Sequence, residues 1–350
     1  MYCSFTIRIS AATRLAAIVA ATVLVWASTS MALSADALRV PRGATSSASA
    51  AEPVADAVER AQRQFEAGRY QDVVAGLQRA LAREPKTAAA YYWLGRAYFE
   101  LHDYEHAIDA VRHSIELNPN DSDSHWWLGR AYGTKADRSR SLLAARRARQ
   151  EFEEAVRLNP SNIGARRDLL EFYVDAPRIL GGGNDKALGQ VDAIAAIEAV
   201  AGRLARAAYW ALRRDVPRAR AEYGAVLGMK PATVNAYLEA AEFYEKHPDI
   251  DALKAVLDGA GQIDPSDSRL LYYRGVLGVQ TRSTPEETER SLKAYLDVPG
   301  RSDWPSHTST HQWLGRLYES LGRQREAAAE YAASRSSSEA KVQSAETPAR

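Results

Sequence analysis

A six-residue word recurs in this chain, and its spacing constrains the fold more than any other feature. Trp93-Leu94-Gly95-Arg96-Ala97-Tyr98 returns unchanged, 34 residues later, as Trp127-Leu128-Gly129-Arg130-Ala131-Tyr132. A near-identical copy, Trp313-Leu314-Gly315-Arg316-Leu317-Tyr318, lies near the C-terminus. A fixed period of this length is typical of chains built from one stacked supersecondary unit, and it favours a binding surface over a reaction centre.

The apolar spacing inside one period predicts two helices joined by a turn. In residues 88–121 the apolar side chains recur at intervals of three and four on both sides of a turn at 102–104, and nothing alternates with period two. Prolines close several periods, because a prolyl nitrogen donates no hydrogen bond and the residue before it leaves helical geometry. These prolines are Pro85, Pro119, Pro160, Pro231 and Pro265.

Residues 88–121 resemble a tetratricopeptide repeat (TPR), with Gly95 and Ala107 as the small residues at the helix crossing and Pro119 at the close. The resemblance implies an all-α, right-handed superhelical solenoid of about eight helix–turn–helix units over 54–335. The predicted units are 54–87, 88–121, 122–162, 163–199, 200–233, 234–267, 268–307 and 308–335.

The two ends of the chain differ from the repeats. Residues 1–35 begin with basic residues, continue as an apolar run over 15–27 and finish with small residues, the order of a signal peptide. We therefore expect an exported protein, periplasmic in a bacterium or secreted; an uncleaved N-terminal anchor is the alternative. The run is shorter than the roughly 20 residues of a membrane-spanning helix. Cleavage would also remove it, so no stable membrane span is expected in the mature chain. Residues 36–53 are predicted to be a flexible linker, and 336–350 a disordered tail into which the last helix can extend.

Charge and cysteine content narrow the function classes. The chain has 45 basic and 44 acidic residues, and loss of Arg8 and Arg14 with the signal would leave 43 against 44. A near-neutral chain is not expected to bind nucleic acid in general, which normally requires a basic excess. Cys3 is the single cysteine, so the mature chain is expected to have no disulfide and no thiol chemistry.

The TPR resemblance places one face of each first helix on a concave groove. There, aromatic rings interleaved with arginines suit an extended peptide or partner helix, because rings supply area and guanidinium groups bind carboxylates or carbonyls. The alternative is that Arg96 and Arg130 pair with acids of adjacent units and the rings pack the groove. The predicted groove residues are Tyr92, Arg96, Phe99, Trp126, Arg130, Arg167 and Glu171.

Two insertions form a second candidate site at one edge of the stack. The third unit is expected to lengthen its turn over 135–140, and the fourth adds residues 176–185. Glycines before a capping Asn or Asp are able to form an anion-binding nest at a helix start. The alternative is a flexible turn beside a solvated basic face. The candidate edge residues are Arg138, Arg140, Gly181, Gly182 and Gly183.

Catalysis finds little support in the sequence. His102/His106 and His307/His311 have a spacing that could hold a metal on a helix, but neither pair carries the glutamate of the metalloprotease motif. We predict no enzyme activity, no metal and no cofactor. The predicted function is a protein–protein interaction scaffold that binds a peptide or partner helix in the concave groove. One alternative is an accessory subunit of an envelope complex that assembles through its convex face or C-terminal units. A more remote alternative is an enzyme or anion-binding protein using the basic glycine-rich edge. The oligomeric state is not predicted.

Overall fold

A computed structural model of the chain describes residues 53–343, with side chains described as far as residue 336. The predicted signal peptide and nearly all of the predicted linker lie outside the described residues. Over 53–343 the backbone forms sixteen α-helices, one short 3-10 helix at Arg178–Leu180, and no strand. No helix within this stretch is both long and apolar enough to cross a membrane.

The helices form eight consecutive pairs, each with a first and a second helix. They are α1 (Val54–Glu66), α2 (Tyr70–Leu81), α3 (Ala88–Glu100), α4 (Tyr104–Leu117), α5 (Ser122–Ser139), α6 (Leu142–Leu158), α7 (Ile163–Asp175), α8 (Asn184–Ile197), α9 (Ala199–Leu212), α10 (Val216–Gly228), α11 (Val234–Lys246), α12 (Ile250–Ile263), α13 (Arg269–Thr281), α14 (Pro285–Leu296), α15 (His307–Ser320) and α16 (Gln324–Gln343).

Local sequence accounts for where many of these helices begin and end. Side chains of Asp, Asn or Ser accept a backbone N–H in the first turn at several helix starts, which satisfies donors that lack a partner within the helix. Examples are Asp103 for α4, Asp121 for α5 and Ser141 for α6. The five recurrent prolines all lie in connections between consecutive pairs. Each therefore separates two helices without removing a hydrogen bond from either.

The pairs stack so that each first helix contacts the first helix of the next pair, from α1 to α15. Gly95 lies at a crossing inside its pair, where an added Cβ would be 2.4 Å from a Val111 methyl carbon. The glycines of the other two copies of the word, Gly129 and Gly315, face Phe152 and Tyr331 in the same way. The small residue after leucine therefore lets two helices approach closely. The predicted all-α solenoid of helix pairs is confirmed.

Buried side chains form a chain of clusters rather than one central core. There are four clusters along the described residues, and partly buried rings pack against two successive clusters at once. Tyr98 joins the first cluster to the second, Trp126 and Tyr132 join the second to the third, and Trp210 joins the third to the fourth. Each pair therefore buries its apolar face against its neighbours, as expected for a stack that depends on adjacent units.

One expectation from the sequence needs correction. The extra residues of the third pair lengthen α5 and α6 instead of the turn, because Ala136 is buried against the core and Ser141 caps α6 directly after Arg140. At the C-terminus, α16 continues to Gln343, and it therefore extends into the predicted tail, as the sequence allowed. Residues 336–343 include no proline or glycine that would end the helix.

Candidate functional site

The connection between α14 and α15, residues 297–306, reaches the opposite end of the stack; we call it the strap. Its Pro299 packs on Gly68, where an added Cβ would lie 2.5 Å from the proline Cβ. Tyr70 Oη donates to the Gly300 carbonyl oxygen at 3.4 Å. The backbone N–H and the hydroxyl of Ser302 both donate to the Glu100 carboxylate, at 2.7 and 2.8 Å. The strap, which follows the seventh pair, thus contacts the first and second pairs directly.

The base of the strap is fixed to its own repeat. Tyr295 Oη donates to the Pro305 carbonyl oxygen at 2.8 Å, and His307 Nε2 lies 2.9 Å from the Val298 carbonyl oxygen. Burial of the Glu100 carboxyl raises its pKa, while the two donors of Ser302 oppose this rise. The strap is therefore held at both ends, and its tip rests on a partly desolvated carboxylate.

A cavity of about 270 Å³ lies between the strap and the first four pairs. Arg301 and Asp303 of the strap line one side of it. The other side, which we call the groove, is formed by Phe65, Tyr92, Arg96, Glu100, Trp126, Trp127, Arg130, Gly164 and Asp168.

Arg96 is enclosed by aromatic rings. Its guanidinium carbon lies 4.5 Å from the ring centre of Phe65, 4.3 Å from that of Trp93 and 4.7 Å from that of Trp127. These rings come from three consecutive pairs, and cation–π attraction at such distances strengthens when the cation is desolvated. Burial lowers the pKa of Arg96, yet an arginine stays charged in proteins.

Arg130 stacks on rings and also pairs with an acid. Its guanidinium carbon lies 4.4 Å from the Trp127 ring centre, and its Nε lies 3.8 Å from Asp168 Oδ2. The same carboxylate oxygen accepts a hydrogen bond from Trp126 Nε1 at 2.7 Å. Burial raises the pKa of Asp168, and the Arg130 charge opposes that rise. Pairing with an acid of the adjacent repeat therefore holds for Arg130, whereas Arg96 is held by rings.

A larger cavity, about 470 Å³, lies on the other side of the strap. Trp304 of the strap lines it, with its ring centre 5.2 Å from the Arg269 guanidinium carbon and 5.1 Å from that of Arg301. Arg167, on its wall, donates to Glu239 through both terminal guanidinium nitrogens, with Nη1 3.0 Å from Oε2. This buried pair joins α7 to α11, across two repeats.

A column of carboxylates continues along α7 beyond the groove. Glu171 is 5% exposed and its Oε2 has no hydrogen-bond partner; burial, followed by the nearby Asp168 charge, raises its pKa well above the ordinary value. Burial raises the pKa of Asp175 to about 6. Burial, followed by the nearby Asp175 charge, raises the pKa of Asp137 to about 6. The inner face of the fourth pair is thus acidic and poorly hydrated.

The predicted groove residues separate into three environments. Tyr92, Arg96, Trp126 and Arg130 meet at the smaller cavity, and Arg167 lines the larger one. Phe99 is 3% exposed and packs in the core with Trp127 and Tyr104, so it is not available to a ligand. Glu171 lines neither of these two cavities.

The sequence reasoning missed Glu100, Asp168 and the whole strap. The length of the seventh unit was an available signal. Residues 268–307 exceed the 34-residue period, and the excess contains Pro299, Gly300 and Pro305 between two helical patterns. An excess of this kind predicts a long connection, although its destination depends on how tightly the stack coils.

The glycine-rich edge does not form the expected anion nest. The backbone N–H groups of Gly181, Gly182 and Gly183 already donate to the carbonyl oxygens of Arg178, Pro177 and Tyr173. Arg138 and Arg140 are exposed near the end of α5, where Arg138 stacks on the ring of Tyr104 from the preceding pair. Within the described residues, no group of three or more His, Cys, Asp or Glu side chains is arranged to hold a metal.

Known structures provide a comparison for this architecture. A TPR protein from Parabacteroides merdae ATCC 43184 is 13% identical, over 75% of this chain and 98% of that chain, with a TM-score of 0.48. A thermophilic TPR protein from Thermus thermophilus is 21% identical, over 64% and 98%, with a TM-score of 0.43. YrrB, described as a TPR protein with an unusual peptide-binding site, is 19% identical, over 57% and 97%, with a TM-score of 0.34. No functionally curated protein matches the chain.

The family model that matches is that of the tetratricopeptide repeat, over residues 64–131. This range contains the first copy of the six-residue word and most of the second. Beyond it, the same helix-pair arrangement continues without interruption to α16. Residues 64–131 thus match the tetratricopeptide repeat family, and the other described helices continue the same arrangement of pairs.

Proposed function

We propose that the protein is a non-catalytic interaction scaffold and that its groove receives an extended segment of a partner protein. One observation supports this most strongly: the groove already faces an irregular segment of the chain itself, the strap. A surface that accommodates an extended segment from a distant repeat has the shape and the donors and acceptors to accommodate one from another protein.

The groove offers a partner both area and polar contacts. Tyr92 and Trp126 supply partly exposed rings that lose little conformational entropy on binding. The Nε atoms of Arg96 and Arg130 are buried without a hydrogen-bond partner. A carboxylate or carbonyl oxygen that reaches them would satisfy donors for which burial otherwise has a cost.

The third copy of the word supplies a matched control for a binding experiment. Arg316 occupies the same position as Arg96 but is exposed and stacks on Trp313 of its own helix. We expect Arg96→Lys to weaken partner capture from a native envelope extract, because lysine lacks the planar group that stacks between rings. Arg316→Lys should capture as the unaltered protein does. Equal capture by all three folded proteins would refute binding in the groove.

We also propose export to the periplasm, on the basis of the residue order in 1–35. Mass spectrometry of the protein recovered from its native cell should give a mature N-terminus close to residue 35, in the fraction released by osmotic shock. An intact N-terminus in the membrane fraction would favour the anchor instead.

A second candidate function is assembly into an envelope complex through the edge of the stack. Leu142, Leu143 and Ile179 are 55%, 68% and 80% exposed. Leu142 and Leu143 begin α6, and Ile179 lies in the 3-10 helix that contacts α6. Exposed basic side chains surround them in the sequence, which suits an apolar partner surface with an acidic rim. These are Arg140, Arg146, Arg147 and Arg178.

Substitution of the exposed leucines separates this function from binding in the groove. Leu142→Ser with Leu143→Ser should release a partner held at the edge and leave a partner of the groove bound. Ile263→Ser, at a site 45% exposed at the end of α12, serves as the control for loss of an exposed aliphatic side chain. The backbone N–H groups of the glycine-rich edge already donate within the chain, so they give no support to the remote enzyme or anion-binding alternative.

A further inference from the structure

The proposed function leaves open which kind of segment the groove accepts. We infer that the strap is an internal copy of that ligand: the partner presents an extended hydroxyl–acid–aromatic segment like Ser302-Asp303-Trp304, and it displaces the strap to bind. This inference rests on the proposed function and adds a ligand class and a competing segment to it.

The contacts of the strap favour a hydroxyl-bearing residue at the position of Ser302. Glu100 accepts from both the backbone N–H and the hydroxyl of Ser302, one on each carboxylate oxygen. Serine and threonine each supply a backbone N–H and a hydroxyl donor from one residue with a short side chain. Hydrogen bonds to a charged acceptor are stronger than neutral ones, and Glu100 is partly desolvated.

The next two residues face the two cavities. Asp303 lines both, and in the smaller one it lies among the residues around Arg96 and Arg130, whose Nε atoms have no hydrogen-bond partner. Trp304 lines the larger cavity between the guanidinium groups of Arg269 and Arg301. An acid followed by an aromatic ring is thus the order that the walls of the groove and the larger cavity accommodate.

The strap is built for displacement rather than for permanent closure. Ser302 at its tip is exposed, and the bond from Tyr70 to Gly300 is long at 3.4 Å. Cavities of about 270 and 470 Å³ remain on its two sides, so the strap fills the site incompletely. A partner segment with longer side chains gains contacts in this space that the strap does not make.

A titration with the strap sequence tests the inference directly. The probe is a fluorescein-labelled peptide of residues 299–306, Pro-Gly-Arg-Ser-Asp-Trp-Pro-Ser, followed by anisotropy. The proteins are the full chain and a triple variant, Ser302→Ala with Asp303→Ala and Trp304→Ala, which keeps the loop length. A scrambled peptide and a peptide with Asp303→Asn are the controls.

We expect the triple variant to bind the peptide at least about tenfold more tightly than the unaltered chain, whose strap competes at a high effective concentration. The Asp303→Asn peptide should bind about tenfold more weakly to the same variant, because a charged acceptor is lost. The scrambled peptide should bind more weakly still.

Two results would overturn the inference. One is a folded triple variant that binds the strap peptide no better than the scrambled peptide. The other is equal affinity of the strap peptide for the unaltered chain and the variant. If circular dichroism shows that the triple variant is unfolded, Ser302→Ala alone decides by the same titration, since it removes one donor to Glu100.

The outcome is separable from the proposed function. If the strap peptide fails but capture still depends on Arg96 and not on Arg316, the groove binds a partner of other chemistry. If the peptide binds but capture is indifferent to Arg96, the groove recognises the strap alone, and the inference that the strap copies the partner's segment is overturned.

Discussion

Replacing a helical glycine by alanine should change the free energy of unfolding in opposite directions at a helix crossing and on an exposed helix surface. At Gly129 an added Cβ would be 2.6 Å from both Cδ1 and Cε1 of Phe152, against an optimal carbon–carbon separation of about 3.5–4.0 Å. Phe152 is 1% exposed, so its ring has no free space into which to move. Overpacking of this kind typically costs about 1–3 kcal/mol, and we expect Gly129→Ala to lower the free energy of unfolding by about that amount.

Gly224 is the matched control. It is an exposed residue inside α10, and no atom lies within 4 Å of an added Cβ. Alanine in an exposed helix interior is favoured over glycine by about 1 kcal/mol. Gly224→Ala should therefore stabilise the chain, so that the two variants, identical in chemistry, differ by about 2–4 kcal/mol.

Urea titration followed by far-ultraviolet circular dichroism measures both changes. A third variant, Phe152→Leu, tests the cause, because Gly129→Ala should cost less in that background than in the unaltered chain; residues in direct contact typically couple by about 0.5–3 kcal/mol. The reasoning is refuted if Gly129→Ala is neutral or stabilising, or if its cost is unchanged after the ring is removed.

Two further predictions concern charges inside the stack. Glu239→Gln should destabilise the chain by about 2–3 kcal/mol, because it leaves the buried Arg167 guanidinium without its carboxylate. Glu242→Gln breaks an exposed pair with Lys246 on the same helix and should cost less than about 1 kcal/mol. Equal shifts of the urea midpoint for the two variants would contradict this reasoning. Burial raises the pKa of Asp137 and of Asp175 from 3.8 to about 6, so the folded chain binds these protons more tightly than the unfolded chain and its stability falls as pH rises from about 4 to 6. Asp137→Asn should raise the melting temperature at pH 7.5 and flatten this part of the pH dependence; an unchanged slope would show that the two carboxyls do not cause it.

The part of the fold that depends on neighbours in sequence was predictable. The period, the glycine at the helix crossing in each copy of the word, and the prolines between pairs all follow from contacts within one unit or with the next. Phe99 shows where this reasoning ends. Its position directly after the word, on the face of α3 predicted to line the groove, assigns it to the groove, but the rings of Tyr104 and Trp127 cover it.

The candidate site was predictable only in part, for a different physical reason. Tyr92, Arg96, Trp126 and Arg130 share one face of consecutive first helices, so the period brings them together. The contact of Glu100 with Ser302 joins residues 202 positions apart in the chain. Whether such residues meet depends on the small rotation between successive pairs, summed over the stack. No residue in the word encodes that rotation.

The three copies of the word show why the arginine position cannot be assigned from the word alone. Arg96 lies against rings of the first, second and third pairs, and Arg130 lies between rings and Asp168 of the fourth pair. Arg316, in the last pair, is exposed and stacks on its own Trp313. Local sequence is the same in each case, so the difference comes from the adjacent pairs that surround each copy. The environment of this arginine is therefore a property of the stack, set where several pairs and the strap converge, and substitutions that compare Arg96 with Arg316 separate that contribution from the word itself.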